Sequence, residues 1–170
     1  GFRGTQEYIQ GSEGIRIIVT GAGHNFANNI SYGQAWPEIL EQKLQDFGMQ
    51  TEVVNWSMNG STVVYAQRVL FAKIMENNPS HVVLSHSGYN EAISSYISDK
   101  QVVHPNHIIF NLLMSLETTR ILYKKFYQEK SVFQNLSKQP KVSTVEFYEI
   151  YRDMISKLQD QGIHVILLQQ

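Results

Sequence analysis

Three polar turns hold the residues best suited to chemistry in this chain: Gly21-Ala22-Gly23-His24-Asn25, Asn55-Trp56-Ser57-Met58-Asn59-Gly60 and Gly88-Tyr89-Asn90-Glu91. Each follows an apolar run and mixes glycine with amide, hydroxyl or imidazole side chains. Main-chain N–H groups of the first two turns, with the Asn90 carboxamide of the third, are the donor types that stabilise the oxyanion of acyl transfer. That chemistry also needs an attacking group. Position 23 offers only a hydrogen atom, and His24 and Asn25 bring no hydroxyl. His24 titrates near neutrality and invites a role as substitute base or nucleophile, against a plainer reading as a locally bonded turn residue. The hydroxyls of Ser57 and Ser61 have no base partner in the sequence, and they read as a turn hydroxyl and a helix cap. His24 with His86 makes too small a ligand set for a metal, so neither a metal nor a cofactor is expected. Gly21-Ala22-Gly23 is also a poor dinucleotide loop, because Phe26 stands at the third glycine and no acidic residue closes the second strand.

The elements that must position these turns follow from periodicity. Arg16 to Thr20, Thr51 to Trp56, His81 to Ser85 and His164 to Leu168 are short, β-branched apolar runs closed by turn residues, the pattern of strands buried on both faces. Trp36, Ile39, Leu40, Leu44 and Phe47 recur at helical spacing, with Pro37 in the first turn and Gly48 as the stop. Ser61 or Thr62 predicts the cap of a helix reaching about residue 77, where Asn77-Asn78-Pro79 breaks it. Pro105 predicts the start of a helix carrying Ile109, Leu112, Leu113, Leu116 and Ile121 to about Gln128, and 131–141 reads as a surface loop. Ser143 and Glu146 have capping-box spacing ahead of Phe147, Ile150, Tyr151, Met154, Ile155 and Leu158, a helix that Gly162 ends. Alternation of strands and helices predicts an α/β protein, a three-layer α/β/α sandwich on a parallel sheet. In such a sheet all carboxyl ends share one edge, so the three turns are expected to converge there.

Composition narrows the classes. A chain of 170 residues, 42% hydrophobic and 17% charged, suits one domain, 1–170. Fourteen basic residues against 15 acidic ones leave a net charge of −1, so no footprint for nucleic acid stands out. Lys124, Lys125 and Lys130 read as a solvated helix end. Cysteine is absent, which removes thiolate metal sites and Cys nucleophiles. No apolar run reaches the roughly 20 residues of a membrane span.

Taken in register, these blocks resemble the SGNH (GDSL-type) hydrolase superfamily. That family carries Gly-Asp-Ser after strand one, Asn-x-Gly-x-x-Gly after strand two, Gly-x-Asn-Asp or Gly-x-Asn-Glu after strand three, and Asp-x-x-His near its C-terminus. Gly21 matches the first block, Asn55 and Gly60 the second, and Gly88, Asn90 and Glu91 the third; Trp36-Pro37 opens the first helix as in some members. The resemblance implies a flavodoxin-like SGNH architecture and an ester-hydrolase ancestry with lipid or carbohydrate O-acetyl esters as substrates. It implies oxyanion positions at Gly23, Ser57 and Asn90, with His24, Asn55, Gly60, Gly88, Tyr89 and Glu91 lining a site for a small ester or glycan ligand. Gly1-Phe2-Arg3 is similar to a segment of exported or membrane-anchored members, which points to an extracytoplasmic setting. Three departures stand out: Gly23 replaces the nucleophilic Ser, Ala22 replaces the preceding Asp, and Ser57 replaces the middle glycine. The sequence contains no Asp-x-x-His, so the family pattern implies a domain truncated after its fourth strand, completed by a further segment or a partner chain. The expectation is a site impaired or inactive in hydrolysis, with a non-catalytic glycan- or acyl-binding or scaffold role as the alternative.

Overall fold

The structure is a computed structural model that describes residues 14–27, 29–31, 33–86, 88–95, 99 and 139–168. The expected helix at 105–128, the lysines at 124, 125 and 130, and most of the loop at 131–141 lie outside the described residues. In chain order the elements are β1 (Ile15–Gly21), α1 (Gly23–Phe26), α2 (Trp36–Asp46), β2 (Thr51–Asn55) and α3 (Val63–Tyr65). A π-helical turn, Ala66–Leu70, joins α3 to α4 (Phe71–Glu76), followed by β3 (His81–Ser85), α5 (Tyr89–Ala92) and β4 (Ser94–Ser95). The chain then gives β5 (Gln139–Pro140), α6 (Thr144–Asp160) and β6 (His164–Leu167).

The main sheet runs β2-β1-β3-β6 with every pair parallel. Its central strand is apolar on both faces because both are covered. Ile18, Val82 and Leu84 face α3, α4 and α6 through Val63, Leu70, Ile74, Met154 and Leu158. Ile17, Val19, Val53 and Val83 face Trp36, Leu40 and Leu44 of α2. Helices on both sides of a parallel sheet make the α/β/α sandwich. β6 is paired on one side only among the described strands, and Ile166 and Leu167 remain 45% and 57% exposed.

The amphipathic helix expected after Ser143 starts there: the Ser143 Oγ accepts the Glu146 N–H at 3.2 Å. Glu38 takes the same reciprocal place in α2, its carboxylate accepting the Ala35 N–H at 2.9 Å. Three features differ from the sequence pattern. The helix expected from 61 or 62 to about 77 is widened in its middle to the π form, a local feature that leaves the apolar spacing nearly unchanged. The opening turn contains one helical turn, α1, too short to show any periodicity. Gln139 and Pro140, inside the expected loop, pair antiparallel with Ser94 and Ser95.

Sheet order fixes where the site lies. The chain passes from β1 to β2 on one side and to β3 on the other, so the order reverses at the carboxyl ends of β1 and β3. That crevice is where open α/β sheets receive ligands.

Candidate functional site

The three turns are stitched together by a short run of hydrogen bonds that starts at one carbonyl. Gly21 ends β1, and its oxygen accepts both the Met58 N–H at 3.1 Å and the Ser61 hydroxyl at 2.8 Å. The second turn is thereby pinned to the first, helped by the Trp56 N–H donating to Val19 at 2.8 Å. The Ser61 carbonyl in turn accepts the Asn90 carboxamide at 2.9 Å, which ties in the third turn.

Asn25 is the hub of the first turn and is wholly buried. Its Oδ1 accepts the Trp36 indole N–H at 2.9 Å and the Ser85 hydroxyl at 3.4 Å, while its main-chain oxygen accepts the Asn55 carboxamide at 2.8 Å. The turn therefore sits so close to β3 that a Cβ on Gly21 would overlap the Asn25 Nδ2 and the Ser85 carbonyl. Glycine is required here by space and not by a left-handed φ.

Gly23 stands at the head of α1, and no hydrogen-bond acceptor meets its N–H among the described residues. A Cβ at this position would lie 2.6 Å from the Asn59 Oδ1, so an exposed and flexible carboxamide fills the space beside the glycine. Asn90 has two amide hydrogens, and the Ser61 carbonyl uses one. The Ser57 N–H, the other expected oxyanion donor, is given to the Asn55 Oδ1 at 3.1 Å, and the Ser57 hydroxyl is buried without a partner. Gly23 and Asn90 thus keep a donor each, while that of Ser57 is committed within its own turn.

The other expected ligand-facing residues divide. Gly60 and Gly88 take left-handed φ of 76° and 77°, shaping the second and third turns, and Tyr89 is 75% exposed beside them. Asn55 and Glu91 turn inward instead. Both ends of the Asn55 amide are used inside the protein, and the buried Glu91 carboxylate accepts the Val63 N–H at 2.9 Å, capping α3. Burial pushes the Glu91 carboxyl above its ordinary range. Both residues hold the site's framework.

His24 leans on β3, its Nε2 2.9 Å from the Ser85 carbonyl and 3.2 Å from the Ser85 Oγ. Burial lowers its pKa, partly offset by the Ser85 carbonyl. A neutral His24 donates its Nε2 proton to that carbonyl, so this nitrogen is not a free base. His86, buried at the end of β3, is held at both its N–H and its Nδ1 by the Tyr151 hydroxyl of α6, at 3.0 and 3.3 Å. Burial, with a smaller contribution from nearby His24, lowers its pKa to about 3. Among the described residues no three His, Asp or Glu side chains are grouped to hold a metal ion.

Asn25, Asn59 and Tyr151 are the site residues that sequence reasoning passes over. Tyr151 sits in an apolar helical stripe, yet a buried phenol asks for a polar partner, and that is its one signal. Asn55 bonding two residues ahead is an Asx-turn, legible from the Asn-x-Ser order itself.

No protein-family model matches the sequence, and no curated protein does. Among solved structures the chain is similar to TesA, at TM-score 0.55 and 18% identity over 89% of this chain and 58% of that one. It is similar to a catalytic mutant of an acetylxylan esterase from Geobacillus stearothermophilus, at TM-score 0.53 and 13% identity over 91% of this chain and 58% of that one. A Bacillus subtilis protein, YXIM, aligns at TM-score 0.54 and 16% identity over 93% of this chain and 33% of that one. The fold is that of SGNH-type hydrolases, and the chain spans less than two thirds of the length of these neighbours.

Two expectations follow from the geometry. Gly21→Ala forces the first turn off β3 and lowers stability by about 1–3 kcal/mol or more, read as a fall in the urea midpoint; an unchanged midpoint would contradict the close approach. His86 carries a pH signature. Its folded pKa of about 3 lies below the ordinary 6.5, so below pH 6.5 the unfolded chain takes up a proton that the folded chain refuses. Stability is lost as pH falls through that window; half-buried His24 and His81, whose pKa values are also lowered, act in the same sense, and the raised Glu91 acts oppositely. In urea titrations from about pH 7 to about pH 4, the stability gap between the parent chain and His86→Gln should narrow. A gap constant over that range would mean that His86 is not held neutral.

Proposed function

We propose that this chain is an ester-hydrolase-type domain that retains part of an oxyanion-binding site and has lost its nucleophile. It binds an acyl- or acetyl-bearing small molecule, of the lipid-ester or O-acetylated carbohydrate class, without cleaving it. The observation that carries this reading is position 23: a glycine whose N–H meets no acceptor among the described residues, at the switch point of the sheet, where the resembling family places Ser. The SGNH-type fold supports it, as does the Asn90 carboxamide, which has a hydrogen to spare next to that turn.

In an intact enzyme of this type a hydroxyl attacks the ester carbonyl, a His takes its proton, and the charge that develops on the carbonyl oxygen falls on the N–H donors. Here the first two steps lack their groups. The Nε2 of His24 is engaged by Ser85, and the 170 residues contain no Asp-x-x-His. Supply of that block by another segment or chain would leave position 23 without a hydroxyl. What remains is binding: a carbonyl or carboxylate oxygen accepting from Gly23 and Asn90, with the Asn59 carboxamide beside it where the nucleophile would stand. Residual rate enhancement from such a remnant is orders of magnitude below that of a complete triad.

The direct test is p-nitrophenyl acetate hydrolysis at neutral pH. The chain should turn over no faster than buffer, and Gly23→Ser, which restores the hydroxyl without a base, should add little. Asn59 is exposed and can swing aside, so the variant should fold. Robust hydrolysis by the parent chain that disappears in His24→Ala would sink the non-cleaving reading.

A further inference from the structure

Asn59-Gly60 is the one Asn-Gly step in the sequence, and its carboxamide fills the space beside Gly23. The step is closed into a β-turn by the Ser61 N–H, which donates to the Met58 carbonyl at 3.1 Å, with Asn59 and Gly60 as the two central residues. Gly60 takes a φ of 76°, the left-handed value that the second central position of a type II turn requires. Both central residues are exposed.

Nothing holds the two groups that would react. Among the described residues the Asn59 carboxamide makes no hydrogen bond, and the Gly60 N–H meets no acceptor. The other asparagines of the three turns differ on both counts. The carboxamides of Asn25, Asn55 and Asn90 are bonded within the protein, and the residues that follow them are Phe26, Trp56 and Glu91. A side chain crowds the main-chain nitrogen of its own residue, whereas glycine leaves that nitrogen open to close approach.

We propose that Asn59 deamidates spontaneously and so sets a carboxylate against the Gly23 N–H, where it competes with a ligand's oxygen. The Gly60 main-chain nitrogen loses its proton to solvent and attacks the Asn59 Cγ. The new C–N bond closes a succinimide ring, the Cγ–Nδ2 bond breaks, and the departing nitrogen takes up a proton and leaves as ammonia. Water then adds to one ring carbonyl and the ring opens at that C–N bond. Attack at Cγ gives an aspartyl residue, and attack at the main-chain carbon gives an isoaspartyl residue. Water enters, ammonia leaves, and no electrons are transferred. The Asn59 Oδ1 lies 2.6 Å from where a Gly23 Cβ would stand, so the product brings a negative charge to an N–H that has no acceptor among the described residues. The competition, unlike the deamidation, rests on the reading of Gly23 and Asn90 as a ligand's donors.

The test ages the chain at physiological temperature in mildly alkaline buffer and maps its peptides by mass against a fresh sample. Position 59 should show the amide-to-acid mass gain before any other asparagine, and Asn59→Gln, whose ring closure is far less favoured, should show none there. In ¹⁵N spectra the Gly23 amide should move on ageing in the parent chain and stay still in Asn59→Gln. Asn59→Asp, which fixes the product's charge at an exposed position, should weaken acetate at Gly23 and Asn90 about tenfold or more, the scale of a like charge a few ångströms away. Absence of conversion at position 59 ahead of the other asparagines overturns the proposal. So does conversion that leaves the Gly23 amide unmoved, or acetate bound as tightly by Asn59→Asp as by the parent. A fresh parent chain that ignores acetate, while ageing still converts position 59 and moves the Gly23 amide, strikes the binding reading and supports the modification.

Discussion

The site depends on how closely the end of β1 approaches its neighbours. One main-chain oxygen, that of Gly21, accepts two donors from the second turn, and the residue that carries it has no room for a side chain against Asn25 and Ser85. The consequences spread outward. Ser61, fixed by Gly21, presents its own carbonyl to Asn90, and Asn25, wedged under Gly21, collects Trp36 from α2, Asn55 from β2 and Ser85 from β3. Six elements, β1, α1, α2, β2, β3 and α5, are registered to one another through amides and hydroxyls that are mostly buried. Such groups cost about 1–3 kcal/mol each when left unpaired, so the framework is stiff, and the donors that remain free at its rim, on Gly23 and Asn90, are held in place before any ligand arrives.

This separation of framework from rim explains how the turn keeps its form with glycine at position 23. Gly23 does not bind Gly21, Asn25 or Ser61 through a side chain, and the space a side chain would take is filled from outside by the exposed Asn59. The first turn is kept by what lies beneath it. Glu91 and Asn55 make the same point from the other direction: both fall in motif positions of the resembling family, and both spend their polar atoms on the protein itself.

Much of the fold was legible because its signals are local. Buried parallel strands announce themselves as β-branched runs, and Ser143 with Glu146 marks the start of α6 within one turn of its actual first residue. The convergence of the turns followed from chain alternation alone, since parallel strands leave no other arrangement. What stayed hidden was tertiary. Nothing near Asn25 in the sequence says that Trp36, Asn55 and Ser85 will meet on it, and Tyr151 looks like one more core aromatic until His86 is found under its hydroxyl. Gly21 was legible as a turn residue, but the reason for glycine there is a contact with a strand 64 residues away, which φ-based reasoning does not reach. The engagement of the Ser57 N–H by Asn55 was within reach, being an i to i+2 bond.

The central claim is that Gly23 and Asn90 act together as donors to one ligand oxygen at a site without a nucleophile. It is tested most directly by titrating acetate into the ¹⁵N-labelled chain and following the Gly23 amide and the Asn90 side-chain amide. The account predicts that both shift on a single saturable curve, with the Ser57 amide moving less because Asn55 already holds it. Two amides that stay still, or that move on unrelated curves, would contradict it.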